Sequence, residues 1–273
     1  MRNFIGVMQG RLLPKYLDQY QAHPVKYWAK EFTLAKRIGL DCIEFILDYS
    51  ESESNPLLSD EGIFEIQRVI DDTGIAIKTI CADYFMEQPF HSTDKEIVEQ
   101  SIEVLKKLLV ASEQLGVTDI VIPCVDQSSL TNEVDKERFI FVIRSVLEDI
   151  ESKNINLSLE TDLPPKAFKR LLDQLKSKNI TVNYDIGNSA SLGFNSEEEL
   201  DSYGYKISDV HIKDRMLGGG PVILGEGNAN FEHFFKKLQQ FKYTGPFIMQ
   251  AYRDNEGISV FKKQLDWVSQ YLE

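Results

Sequence analysis

Eight short apolar runs, each followed by a stretch of helical periodicity, constrain this chain more than any other feature. The runs are Phe4–Met8, Cys42–Leu47, Ile75–Cys81, Asp119–Pro123, Asn156–Glu160, Val182–Asn188, Asp209–Arg215 and Pro246–Met249. Each reads as a buried strand. Between them, apolar residues recur at helical spacing over Val25–Ile38, Glu61–Thr73, Lys95–Leu115, Val134–Ser152, Pro165–Lys178, Phe231–Phe241 and Val260–Leu272. Gly39, Gly74 and Gly116 stand as stop signals, and Pro164-Pro165 opens the fifth helix. The helical signal after the sixth strand, near Glu197–Tyr203, is the weakest. Strands that alternate with helices pair in parallel through right-handed crossovers. Eight such units without a break in composition predict a closed (β/α)8 TIM barrel forming one domain over residues 1–273. No Gly-x-Gly-x-x-Gly follows the first strand, which counts against a dinucleotide-binding sheet.

Composition narrows the partners. A hydrophobic content of 42% suffices for a sizeable core, and no apolar run is long enough to span a bilayer. Met1-Arg2-Asn3-Phe4 leads into a strand-like run and not into a signal-peptide pattern. The net charge of −13 argues against nucleic acid, whose phosphates need a basic surface. Cys42, Cys81 and Cys124 are widely spaced and odd in number, so they predict buried thiols and neither a zinc knuckle nor a disulfide framework. A cytoplasmic protein with a small-molecule partner is expected, and a homo-oligomer is compatible with these properties.

A barrel places its chemistry at the C-terminal ends of its strands. Side chains alternate across a strand, so Asn183 shares a face with Asp185, and Asp209 and Lys213 share one with His211. Glu160, Asp185, His211 and Gln250 end strands five to eight, each opposite an apolar neighbour: Leu159, Tyr184, Val210 and Met249. Singly, an Asp at a strand end is usually a turn former, and a lone His is usually satisfied within the structure. Four consecutive strands offering O, O, N and O donors to one point predict a divalent-metal site. Lys213 is placed to hold a hydroxyl or phosphate. Arg215 with Gly218-Gly219-Gly220 lies where barrels often bind phosphate. Gln9, Arg11, Glu44 and Asp83, at the ends of strands one to three, are expected to line the substrate side. His91 follows an aromatic loop (Tyr84, Phe85, Phe90) that is expected to form an apolar wall, and it is a further candidate sugar contact. His23 and His233 are not expected at the metal.

Four motifs carry a resemblance to a known family: Leu159-Glu160, Asp185-Ile186-Gly187-Asn188, Val210-His211-Ile212-Lys213-Asp214, and Leu224-Gly225-Glu226-Gly227 leading into Asn230-Phe231. In order and spacing the chain resembles the xylose-isomerase-like barrel superfamily of sugar-phosphate isomerases and epimerases. The order and spacing are similar to those of its L-ribulose-5-phosphate 3-epimerases and hexulose-6-phosphate isomerase-like members. The resemblance implies a divalent ion (Mn2+ first, with Zn2+ or Mg2+ as alternatives) on Glu160, Asp185, His211 and the last-strand residue. It also implies a sugar or sugar phosphate as substrate and Glu160 as catalytic base. The family's last-strand Glu is replaced here by Gln250, a neutral amide that can ligate but cannot carry a proton. One remaining base suits an aldose–ketose isomerisation better than a two-base 3-epimerisation, unless Glu44, Asp83 or His91 supplies the second proton. A dehydratase of a polyol or keto sugar would use a similar site, and Gln250 by itself favours a sugar-binding protein that has lost catalysis. The endonuclease branch of the same fold needs more histidines than the four present and a surface that attracts DNA.

Overall fold

The computed structural model describes residues 2–272. Eight parallel strands close into one barrel: β1 (Ile5–Met8), β2 (Cys42–Ile46), β3 (Ala76–Cys81), β4 (Asp119–Cys124), β5 (Asn156–Thr161), β6 (Ile180–Asp185), β7 (Ile207–Ile212) and β8 (Phe247–Met249). Each strand pairs with its neighbours in sequence, and β1 closes the ring on β8 with Gly6 opposite Ile248. Gly6 is required by this closure, since a Cβ there would lie 2.6 Å from Cys42 Sγ and 2.8 Å from Ile248 Cδ1.

The alternation of strand side chains divides the apolar residues in two. Outward-facing residues such as Val7, Ile43, Phe45, Ile120, Leu159 and Val210 join one continuous layer beneath the helices. Inward-facing Met8, Cys42, Ile46, Cys81, Val121 and Ile248 form a separate, much smaller cluster on the barrel axis. Other buried positions of the same strands are polar: Glu44, Thr79, Ser158, Glu160, Asn183, Asp185, Asp209 and His211. Barrel interiors are ordinarily filled by branched apolar side chains, and burying charge without a partner is costly. The interior is therefore where this sequence departs from what stability alone would select. All three cysteines are free and buried, as expected.

Two β-bulges adjust the strands that carry the polar layer. One shifts the register of β2 against β3 between Ile43 and Glu44, and the other shifts β6 against β7 between Val182 and Asn183. The second brings Asp185 directly opposite His211.

The helices follow the sequence signals closely. The 21-residue helix Lys95–Leu115 is capped by Asp94 and stopped by Gly116 in a left-handed conformation (φ 73°). The weak segment after the sixth strand is a helix, Ser196–Tyr203, capped by Asn195. Three expectations are corrected. The helix expected over Val134–Ser152 is two, Glu133–Ser145 and Leu147–Lys153, broken at Val146, whose backbone leaves the helical region (φ −113°, ψ 3°) while its side chain stays buried with Ile143 and Ile150. The sixth strand stops at Asp185, and Ile186–Leu192 is a helix that Asp185 itself caps. The seventh stops at Ile212, and Asp214–Arg215 pairs instead with Pro221–Val222 in a small antiparallel hairpin at the barrel mouth. Among the described residues no helix is long and apolar enough to cross a membrane.

Candidate metal centre and proton-transfer site

Glu160, Asp185 and His211, from three adjacent strands, each offer one ligand atom, and these atoms lie within 4.8 Å of one another. With metal–ligand bonds of roughly 2 Å, such a spacing allows one ion to touch all three. The three residues are buried, and their electrostatics match a site short of positive charge. Burial and then the charge of Asp185 raise the Glu160 pKa. Burial opposes a charge on His211, but the carboxylates of Glu44 and Asp209 more than offset it, so its pKa is raised. Glu44, Asp83, Glu160, Asp185 and Asp209 gather here with His211 and Lys213 as cationic neighbours, and Asp83 also feels Arg11. Both nitrogens of His211 are buried without an aligned hydrogen-bond partner among the described residues. An imidazole nitrogen left free beside two carboxylates fits a divalent cation.

Each candidate ligand has polar neighbours that hold it. Asp185 caps the helix Ile186–Leu192 through Asn188 N–H at 2.8 Å, and Asn188 Nδ2 reaches across to donate to Glu160 Oε1. Arg215 Nη1 fixes that amide by donating to Asn188 Oδ1 at 2.8 Å. Asp185 Oδ2 accepts from Lys213 Nζ at 3.1 Å, and the same ammonium donates to Gln250 Oε1 at 3.1 Å. Gly187 is the residue that permits this approach, because a Cβ there would stand 2.7 Å from Lys213 Cγ. Gln250 Nε2 donates to Gln21 Oε1, and Gln21 Nε2 donates to Asp83 Oδ2. The last-strand amide thus shares a hydrogen-bonded chain with the candidate ligand Asp185.

The remaining sequence candidates divide. Asp83 belongs to the site through Gln21 and through its charge on Glu160. Gln9 is buried, its Oε1 accepting from Ile46 N and lying 2.8 Å from His23 Nδ1. Arg11 is buried too, and its guanidinium holds Ala251 O, Tyr20 O and Gln21 Oε1. Both therefore shape the wall of the mouth and do not face it openly. Glu44 is corrected from the substrate side to the barrel interior, where both its oxygens are buried and Oε1 lies 2.9 Å from His211 Nε2. His91 is not brought to the cluster; its charged neighbours are Asp135 and Arg138. The aromatic residues Tyr84, Phe85 and Phe90 form no wall over the mouth, because they pack into the outer core, with Phe90 reaching Phe139. His23 and His233 lie apart, as expected, against Gln9 and near Glu197.

The glycine loop is docked. Gly218 N–H donates to Ser191 O at 2.8 Å, and Gly219 O accepts from Arg215 Nε at 3.0 Å. Beyond it, Asp214 accepts the backbone N–H groups of Gly225, Gly227 and Ala229. Sequence reasoning missed the roles of Asn188 and Gln21. The Asp185-x-x-Asn188 spacing is a capping signal hidden by reading the segment as strand, whereas Gln21 lies in a loop without periodicity.

Fold and site together define a TIM barrel with a buried carboxylate–imidazole cluster at the ends of its strands. A family profile described as "Xylose isomerase-like TIM barrel" matches residues 32–271, and the chain belongs to that family. It is 28% identical over 270 residues to a Haemophilus influenzae protein, SgbU, provisionally named an L-ribulose-5-phosphate 3-epimerase, covering 90% of this chain and 92% of that one. It is 25% identical over 252 residues to the L-ribulose-5-phosphate 3-epimerase UlaE of Salmonella heidelberg, covering 88% of each. Among solved structures, an L-ribulose 3-epimerase superposes with a TM-score of 0.76 at 17% identity over 99% of this chain and 94% of that one. A xylose isomerase-like barrel protein of Mycobacterium smegmatis in complex with magnesium gives 0.72 at 19%, over 100% and 97%.

Proposed function

We propose that this protein is a divalent-metal-dependent isomerase or epimerase of a sugar or sugar phosphate, acting through an enediolate with Glu160 as base. The convergence of Glu160, Asp185 and His211 carries the reading. The names of the relatives, 3-epimerases of L-ribulose-5-phosphate, support a ketose phosphate as the substrate class. The magnesium complex of a structural neighbour supports a divalent ion, for which Mn2+, Zn2+ and Mg2+ all suit a mixed carboxylate–imidazole set.

Glu160, Asp185 and His211 would hold the ion, with Gln250 Oε1 as a fourth donor once Lys213 releases it. When bound, the ion supplies Lewis-acid polarisation of a carbonyl and stabilises negative charge developing on oxygen. Glu160 takes the proton from the carbon beside the carbonyl, and Asn188 orients the accepting carboxylate. Lys213 presents its ammonium to a substrate hydroxyl or phosphate while anchored on Asp185. Gln250 accepts no proton, so Glu160 returns the proton on the face from which it came, as a 1,2-isomerisation requires. A 3-epimerisation needs a second proton carrier on the opposite face, and Asp83 is the candidate the geometry leaves, because Glu44 lies beneath His211 and His91 lies elsewhere.

The test is turnover of candidate ketose phosphates in D2O by the Mn2+-loaded protein, with Glu160→Gln as control. Deuterium should enter the substrate carbon in wild type and fall by about 10²–10⁴ in the variant. Substrate that stays unlabelled and unconverted with every metal would reject the reading.

A further inference from the structure

His211 is common to two acidic pairs. Glu160 and Asp185 form one, and Glu44 and Asp209 the other, each pair with ligand atoms within 4.8 Å of a ring nitrogen. The second pair is the deeper one. Glu44 and Asp209 are fully buried, and β2 and β7 are separated in the barrel by β1 and β8, so Glu44 reaches across the interior. His211 Nε2 is 2.9 Å from Glu44 Oε1 and 3.5 Å from Asp209 Oδ2. Asp209 is itself anchored by Asn183 Nδ2 at 2.8 Å. Glu44 Oε1, Glu44 Oε2 and His211 Nε2 have no aligned hydrogen-bond partner among the described residues, so the 2.9 Å approach is the one close polar contact Glu44 makes to the ring.

We propose that Glu44 is a positioning residue for the metal centre. It accepts the Nε2–H of His211 from beneath, fixes the ring plane, and leaves Nδ1 as the only nitrogen directed at Glu160 and Asp185. The inference rests on the metal reading above and concerns how the ligand is held. The physical reasons are two. A ring whose nitrogen donates to a carboxylate cannot present that nitrogen to a cation, so the tautomer and the orientation are set together. The buried carboxylate also adds negative charge one ring away from the ion. That charge matters more here because Gln250 contributes none. Alternation along β2 aims this side chain inward, in phase with Cys42 and Ile46 and opposite to Ile43 and Phe45.

The experiment measures Mn2+ affinity by EPR titration of the free ion for wild type, Glu44→Ala and Glu44→Gln, beside the thermal unfolding midpoint of each metal-free protein. Zn2+-loaded samples labelled with 15N in histidine are examined by NMR for the imidazole N–H of His211, identified by its loss in His211→Asn. Glu44→Ala should bind Mn2+ about 10–100-fold more weakly and lose the protected Nε2–H signal. Glu44→Gln keeps an acceptor, so it should regain the signal and fall between the other two in affinity. If wild type binds Mn2+ and both variants bind it equally well with the Nε2–H signal unchanged, Glu44 is only a buried filler and this inference fails alone. If wild type binds no divalent ion, the metal reading fails and takes the inference with it.

Discussion

Lys213 Nζ stands 3.1 Å from Gln250 Oε1 and the same distance from Asp185 Oδ2, so one ammonium joins the last-strand amide to a candidate metal ligand. A neutral amide accepts this hydrogen bond without adding charge. In a relative with a last-strand glutamate, the same lysine would face two carboxylates.

Gln250→Glu should therefore tighten Mn2+ binding, by about tenfold for one negative charge added beside the ion. It should also supply a second proton carrier. Titration of the ion and deuterium labelling at C3 of a ketose phosphate check the two effects. Wild-type protein that already inverts C3 with deuterium incorporated there would refute the one-base mechanism and move the search to Asp83.

Arg215 offers a second test. Its Nη1 holds Asn188, and its Nε holds the glycine loop at Gly219. If the remaining donors take a phosphate, Arg215→Ala should weaken binding of a phosphorylated ketose by about 1.5–3 kcal/mol. Because Asn188 orients Glu160, kcat should fall as well. Equal KM for phosphorylated and free ketose, unchanged by the substitution, would place the phosphate handle elsewhere.

Asp214 is fully buried, and its carboxylate receives three backbone N–H groups. Asp214→Asn replaces one accepting oxygen by an amino group that faces donors. The Gly225–Ala229 segment should loosen, with faster amide exchange at those three positions and a loss of about 1–3 kcal/mol of stability. Exchange rates equal to wild type would show that the loop is held by other contacts.

His23 predicts a pH dependence of folding. Burial lowers its pKa to about 3, against an ordinary value of 6.5. Between these values the unfolded chain binds the proton and the folded one does not, so stability falls as the pH drops through 6.5 toward 3. Wild type should lose about 2–3 kcal/mol more than His23→Gln between pH 8 and pH 4.5. Parallel stability–pH curves from denaturant titrations of the two proteins would exclude this linkage.

The barrel and the convergence of Glu160, Asp185 and His211 were legible in the chain because they depend on local periodicity. Alternation along a strand decides which side chains face inward, and a strand's end decides how high they sit. Glu160, Asp185 and His211 follow from those two rules alone. The substitution of Gln250 for a carboxylate was equally visible, since charge is a property of the residue and not of its surroundings. What surrounds these residues was decided by closure of the sheet. Gln21 meets Gln250 across 229 positions of chain, and Glu44 meets His211 only because β2 and β7 enclose the same interior. Arg11 and Gln9 looked like substrate contacts, and the aromatic loop like an apolar wall, because a strand end or a loop places them near the mouth. The fold turned their polar groups to its own backbone and their rings to its own core. A one-dimensional pattern fixes the face a side chain occupies, but its hydrogen-bond partner is whichever group the tertiary structure brings within about 3 Å.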